Sequence, residues 1–315
     1  MISRRLIRIK VFKVLFSRMS SGSDSLLLAE KELLHSCEKT LELYYYLLYL
    51  PVVLKKIAEA KIEAGLKKFH PKPEERNPNR RFVENRVISA LENDKILAKY
   101  TASRSLNWTG NESIVKQLLK SMISKDYYNS YMSASECTFA DDMNLIVTFF
   151  QEELEDNEEL WSLLEDESLW WADDMSYTIN VIIKNISSLR EKGVLNNPNV
   201  FMKDDDKEFA LKLLSKSMLN YDEYVEMMSS YILNWEPERL AATDTSLIVM
   251  GIAEAVSFPN IPLKVTINEY VELAKYYSTP NSRLFVNGIL DKLLLDMQRE
   301  GKIEKTGRGL VGSIE

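Results

Sequence analysis

The sequence predicts an all-α protein, and three observations carry that prediction. Only nine prolines and ten glycines punctuate 315 residues, so helices are rarely interrupted and connections are short. Long runs rich in Leu, Glu, Lys and Ala repeat their apolar residues at helical spacing. Hydrophobic residues make up 45% of the chain, enough for a sizeable core in one large domain or two ordinary ones. Residues 301–315, Gly-rich and basic, are expected as a flexible tail.

Residues 3–19 read as the first helix, with Ser3 as its N-cap. Ile7, Val11, Val14 and Leu15 form one apolar stripe, widened by Phe12 and Phe16. Arg4, Arg5, Arg8, Lys10, Lys13 and Arg18 occur here with no acid among them. At about 100° per residue, Arg4, Arg5 and Arg8 share one wedge, whereas Lys10 and Lys13 point to the other side. Positive charge at a helix N-terminus opposes the macrodipole. Three arginines there call for an anionic partner such as RNA or phosphate, or are tolerated because they are exposed.

Residues 26–69 are helical with a break or kink at Pro51, and Tyr44, Tyr45, Tyr46 and Tyr49 fit core packing better than a base-stacking platform. Pro71, Pro73 and Pro78 mark a loop over residues 70–79; His70 has no histidine or cysteine nearby to make a metal site. A basic helix carrying Arg80, Arg81, Arg86, Lys95, Lys99 and Arg104 follows, ending near Trp108. It either extends the positive surface of the first helix or is an ordinary solvated face. Residues 111–135 and 207–232 share a faint similarity, better explained by two amphipathic helices of like composition than by duplication. Residues 151–174 hold eleven acids and no Lys or Arg, interleaved with Trp161, Trp170 and Trp171, and read as a solvated helical face. Residues 184–203 read as a loop.

Residues 262–295 are the most informative stretch, two helices around one turn. Val265, Ile267, Val271 and Ala274 supply the apolar side of the first, with Glu269 and Glu272 between them. Thr279 before Pro280 reads as an N-cap with proline at the first helical position. Val286, Ile289, Leu290 and Leu293 give the second helix its core face. Gly288 sits inside it; a mid-helix glycine costs about 1 kcal/mol relative to alanine, which suggests close approach of a backbone or ligand.

These residues resemble the carboxy-terminal signature of the NusB family of bacterial transcription antitermination factors. Val265, Ile267, Asn268, Glu269, Val271, Leu273, Ala274, Lys275, Ser282, Phe285, Val286, Asn287, Gly288, Leu290, Asp291 and Lys292 fit it in order. Upstream, Phe209, Leu214, Trp235, Arg239, Leu240, Asp244 and Glu254 occupy further family positions. The chain departs at Ile248 and Val249, where the family usually carries Leu-Arg. The resemblance covers residues 204–297 well and residues 3–16 weakly, so it implies an enlarged relative: two helical subdomains with an enlarged helical middle, residues 1–200 as an amino-terminal region with the Arg-rich first helix and an insertion atypical of the family, and residues 201–300 as the NusB-like carboxy-terminal helical domain.

The resemblance implies a NusB-like helical bundle that binds single-stranded boxA-like RNA together with the ribosomal protein NusE and delivers both to the elongating RNA polymerase, in ribosomal RNA transcription. By the same likeness, Arg4, Arg5, Arg8 and Lys10 are the basic RNA contacts, Phe285 a stacking residue, and Asn287, Asp291 and Lys292 hydrogen-bonding groups. Asp244 is the residue assigned to NusE. Two other classes stand beside this one: an all-helical protein-interaction scaffold, for which the acidic Trp-rich stretch speaks, and a ribosomal-RNA cytosine methyltransferase, which also carries a NusB-like domain.

Net charge is −7, but it is unevenly spread. Residues 1–125 hold 24 Lys and Arg against 13 Asp and Glu, and the remainder 16 against 34. Phosphate attraction acts over about 8 Å at physiological salt, so a basic half can serve RNA despite the net charge; alternatively the halves pair with each other. Cys37 and Cys137 make no disulfide framework, which fits a reducing cytosol. The apolar run at residues 43–54 is too short for a membrane span, and Arg8, Lys10 and Lys13 interrupt any signal-peptide core. No phosphate-binding loop, nucleophile elbow, HExxH, paired CxxC or methyl-donor loop is present, so neither an enzyme nor a cofactor is expected.

Overall fold

The computed structural model describes residues 1–232 and 241–311. Trp235, Arg239 and Leu240 lie outside the described residues. In chain order the helices are α1 (Arg4–Ser20), α2 (Leu26–Leu48), α3 (Leu50–Leu66), α4 (Pro73–Arg76), α5 (Arg86–Glu92), α6 (Lys95–Ser103), α7 (Glu112–Ser124), α8 (Asp126–Ser133), α9 (Phe139–Phe149), α10 (Glu158–Glu167), α11 (Met175–Ser187), α12 (Asp206–Leu219), α13 (Tyr221–Ser229), α14 (Ala242–Ser257), α15 (Leu263–Tyr277) and α16 (Ser282–Arg299). A π-helical turn, Phe150–Leu154, continues α9, and short 3-10 turns occupy Leu169–Trp171 and Gly307–Leu310. Among the described residues the only β-type pairing is an isolated bridge between Ile2 and Phe201. The all-α expectation holds.

The chain divides into two compact units. One comprises Met1 with Glu38–Val200, the other Ile2–Cys37 with Phe201–Glu315. The first helix therefore belongs with the carboxy-terminal third, not with the amino-terminal region in which the sequence reading placed it.

In the first unit the tyrosines of α2 are core residues, as expected. Tyr44, Tyr45 and Tyr46 are buried; Tyr45 stacks on Tyr100 and Tyr46 on Trp108 and Trp171. The break falls at Tyr49, so that Pro51 occupies the first turn of α3, where its missing N–H is harmless. The expected basic helix is two short helices. Asn85 and Asp94 each accept two backbone N–H bonds as N-caps and split the run at residues 93–94. Its arginines are engaged locally: Arg86 pairs with buried Asp142 and with Glu191, and Arg81 donates to the Tyr131 carbonyl. Most of the acidic stretch is solvated, but Glu153 and Asp174 are buried, accepting hydrogen bonds from Tyr127 and Thr40, and Trp171 is buried and donates its indole N–H to the Lys39 carbonyl. Its tryptophans are thus part of the fold. Helix α11 continues to Ser187, shortening the loop expected over residues 184–203.

In the second unit, α1 packs on α12 and α14, α14 on α15, and α16 on both α14 and α15. Ser3 caps α1 by accepting the Leu6 N–H at 3.3 Å, and the stripe Ile7, Val11, Phe12, Val14 and Leu15 is buried. Tyr270, fully buried on α15, is a core residue the apolar count passed over. The close approach inferred at Gly288 lies elsewhere. Gly288 is exposed, with nothing within 4 Å of where a Cβ would stand, whereas a Cβ on Gly251 of α14 would meet the Leu290 side chain at 2.8 Å. Gly251 is what lets α14 and α16 cross closely.

The segment expected as a flexible tail is packed over residues 301–311. Ile303 and Lys305 are buried, and the Thr306 N–H donates to the Pro259 carbonyl at 3.1 Å. The Lys305 ammonium enters the carboxy-terminal end of α14, donating to the carbonyls of Ala255 at 2.8 Å and Phe258 at 3.1 Å. These are groups that the helix leaves without intrahelical partners. Burial pulls the Lys305 pKa down from 10.5 to about 8, with the Glu254 charge opposing.

Candidate nucleic-acid interface

Every arginine at the start of α1 faces a carboxylate of the second unit. Arg4 donates from Nη2 to Asp205 at 2.7 Å and from Nε to Asp206 at 3.0 Å, with its guanidinium 4.8 Å from the Phe209 ring centre. Arg5 binds Glu269 in a two-pronged fork, at 3.0 and 2.7 Å. Arg8 makes the same fork with Glu254, at 2.6 and 2.9 Å, and reaches Glu269 at 3.5 Å.

These pairs differ in burial, and burial decides what each can do. Arg8 is 4% exposed and Glu254 fully buried. Glu254 also accepts hydrogen bonds from Thr266 Oγ1 at 2.9 Å and Tyr270 Oη at 3.1 Å, so its lone pairs are saturated. Burial opposes the Arg8 charge, but the charge and hydrogen bonds of Glu254 outweigh it and raise the Arg8 pKa. The Tyr270 phenol is pushed well above its ordinary range by burial and by the neighbouring Glu254 charge. Arg8 therefore pins α1 to α14 and α15. Lys10, also 4% exposed, is equally withdrawn. The expectation that these two residues present charge to RNA meets a structure that buries both. The Arg4 and Arg5 side chains, in contrast, are 34% and 57% exposed, and their guanidinium groups stand at the surface.

Asp244 is buried too. It accepts hydrogen bonds from Ser278 Oγ at 2.5 Å and Ser282 Oγ at 2.7 Å. Ser282 Oγ in turn accepts the Thr279 N–H at 3.1 Å. The Asp244 carboxylate thus organises the turn between α15 and α16, and any effect on a protein partner would pass through that turn. This arrangement also corrects the expected cap: α16 begins at Ser282 and not at Pro280.

On α16, Asn287, Asp291 and Lys292 are exposed and Phe285 is half-buried. The Lys292 ammonium lies 5.5 Å from the Tyr231 ring centre. Residues 4–8 and 285–292 fall in one compact unit, α1 and α16 both packing against α14. Beside Arg4, a cleft of about 350 Å³ is lined by Asp205, Phe209, Lys212, Phe258 and Asn260. Phe209 is named in the sequence only through the family likeness, which does not reveal its place against the Arg4 guanidinium.

Among the described residues, no group of three or more His, Cys, Asp or Glu is arranged to hold a metal, and no helix is long and apolar enough to cross a membrane. Residues 170–294 match the NusB family. Three relatives, each named "Transcription antitermination protein NusB", show the extent of the similarity. The protein from Salinibacter ruber is 42% identical over 106 residues, 34% of this chain and 66% of the relative. That from Chloroherpeton thalassium is 39% identical over 105 residues, 33% of this chain and 50% of the relative. That from Methylacidiphilum infernorum is 42% identical over 95 residues, 30% of this chain and 66% of the relative. The chain thus spans between half and just under two thirds of the relatives it matches, and carries in addition a long stretch they do not match. No solved structure matches the chain.

Proposed function

We propose, on the premise that residues 170–294 form a NusB-family domain, that this chain is a transcription antitermination factor. It binds a single-stranded boxA-like RNA element, joins NusE to it and presents both to the elongating RNA polymerase in the cytoplasm, in ribosomal RNA transcription. The observation that carries this reading is the 42% identity, over 106 residues, to a relative named for transcription antitermination.

The physical account assigns separate tasks. Arg4 and Arg5, whose guanidinium groups reach the surface, neutralise phosphates. Phe285 stacks on an unpaired base, while Asn287, Asp291 and Lys292 offer hydrogen bonds to base edges or phosphates. Arg8 holds α1 in place, Lys10 is buried with it, and Asp244 fixes the turn from which α16 departs.

An RNA gel shift on the full chain tests the assignment. Arg5→Ala is expected to weaken boxA-like RNA binding and flatten its salt dependence, and Asn287→Ala and Lys292→Ala to weaken binding with the fold intact. Unchanged affinity in all three variants would remove this edge as the RNA site.

A further inference from the structure

We propose that Asp205 and Glu269 set the affinity of the RNA-binding edge and its salt dependence, by occupying the guanidinium groups of Arg4 and Arg5 as intramolecular stand-ins for phosphate. The inference rests on the reading of that edge as an RNA site.

The geometry supplies the argument. Glu269 takes the Nε–Nη2 edge of Arg5, at 3.0 and 2.7 Å, in the two-pronged arrangement that a phosphate would adopt on that edge. Asp205 takes the Nη2 of Arg4 at 2.7 Å. Either guanidinium must give up a carboxylate before a phosphate can take the Nε–Nη2 edge, and a phosphate on the remaining N–H groups would sit beside a carboxylate of like charge. Exposure makes that exchange feasible: the Asp205 side chain is 64% exposed and that of Arg5 57%, and surface pairs of this kind hold weakly. The Arg8–Glu254 pair cannot exchange in the same way, because opening it would strand a buried charge. Nor is Asp206 free to leave, being buried and held by the Lys203 N–H as well as by Arg4. Asp205 is therefore the acid that leaves, whereas at the other pair Glu269, 16% exposed and 3.5 Å from Arg8, stays and the 57%-exposed Arg5 swings away from it.

Two consequences follow. Phosphate binding replaces an existing attraction and does not create one from nothing, so affinity is lower than two surface arginines would otherwise give. Each displaced carboxylate also regains a solution cation, which partly cancels the counterions released from the RNA and flattens the salt dependence.

The test is a fluorescence-anisotropy titration of a labelled single-stranded boxA-like RNA with the full chain at several salt concentrations. Asp205→Asn and Glu269→Gln are each expected to tighten Kd about threefold and to steepen the slope of log Kd against log salt by about 0.7. Glu300→Gln, which removes the same charge from a carboxylate paired with Lys302, should do neither. Thermal unfolding of each variant confirms the fold; Asp205→Asn, at an exposed position, serves if Glu269→Gln is unstable. Equal or weaker RNA binding by Asp205→Asn, or an equal gain from Glu300→Gln, overturns the inference while leaving the RNA reading in place. Absence of RNA binding by the unmodified chain overturns both.

Discussion

Arg8 and Glu254 form a buried two-pronged ion pair, at 2.6 and 2.9 Å, between residues 246 positions apart. It fastens the first helix to the carboxy-terminal helices, and it is closed off by Thr266 and Tyr270, which complete the Glu254 shell. Breaking one side leaves the other charge buried. Arg8→Met is expected to destabilise the second unit by about 3–5 kcal/mol in urea unfolding, and Arg8→Met with Glu254→Leu to recover much of that loss. A loss in the double variant equal to the sum of the two single-variant losses would show that the pair is not coupled as described.

The two glycines of the α14–α16 region should respond in opposite directions. Gly251→Ala pushes a methyl group against Leu290, whose Cδ2 lies 2.8 Å from the ideal Cβ, and should cost about 1–3 kcal/mol. Gly288→Ala meets nothing within 4 Å and should gain about 1 kcal/mol from helix propensity. Denaturation midpoints of the two variants check the pair.

Asp244→Ala removes the acceptor shared by Ser278 and Ser282. A loss of about 2 kcal/mol is expected, together with faster hydrogen exchange at Thr279 and in the first turn of α16. Asp244→Asn, which keeps one carbonyl oxygen, should lose less.

Lys305 should make stability rise with pH in alkaline solution. Its folded pKa of about 8 lies below its ordinary 10.5. Between those values the unfolded chain holds a proton that the folded chain has released, so raising the pH favours the folded state. The cost of burying the ammonium is fully present below about pH 8 and is relieved by about pH 10.5. Full relief amounts to about 3 kcal/mol, and the neutral amine still has two N–H groups for its two carbonyls. Subtracting the unfolding free energy of Lys305→Met at each pH isolates the effect; a flat difference from pH 7.5 to 10.5 would contradict it.

What could be read from the sequence was local and periodic. The α1 stripe follows from the 3.6-residue repeat, the Ser3 cap from residue type, and the α3 start from Pro51. The misreadings have physical causes. The partners of Arg4, Arg5 and Arg8 lie at least 201 residues away, and no periodicity reveals a carboxylate that far along the chain. Glycine 288 announced a cost but not its reason, because helix propensity does not say which neighbour benefits; the close crossing was at Gly251, inside an unbroken apolar run. The Thr279-Pro280 pair imitates a cap, yet the turn is organised by Asp244, 38 residues before Ser282. The end of α11 could have been found, since Ile179, Ile182 and Ile186 repeat at helical spacing and are buried, but Gly193 and Pro198 dominated that reading. Phe285, Asn287, Asp291 and Lys292 were named through family likeness; spacing alone gave only a packed helix.

The central claim is that this chain recognises single-stranded RNA jointly with NusE. The most direct measurement is an anisotropy titration of labelled boxA-like RNA with the full chain, in the absence and in the presence of saturating NusE. The account predicts saturable binding that NusE tightens by about tenfold, within the usual range of coupling between two ligands. Absence of saturable RNA binding under both conditions, or an affinity that NusE leaves unchanged, would contradict it.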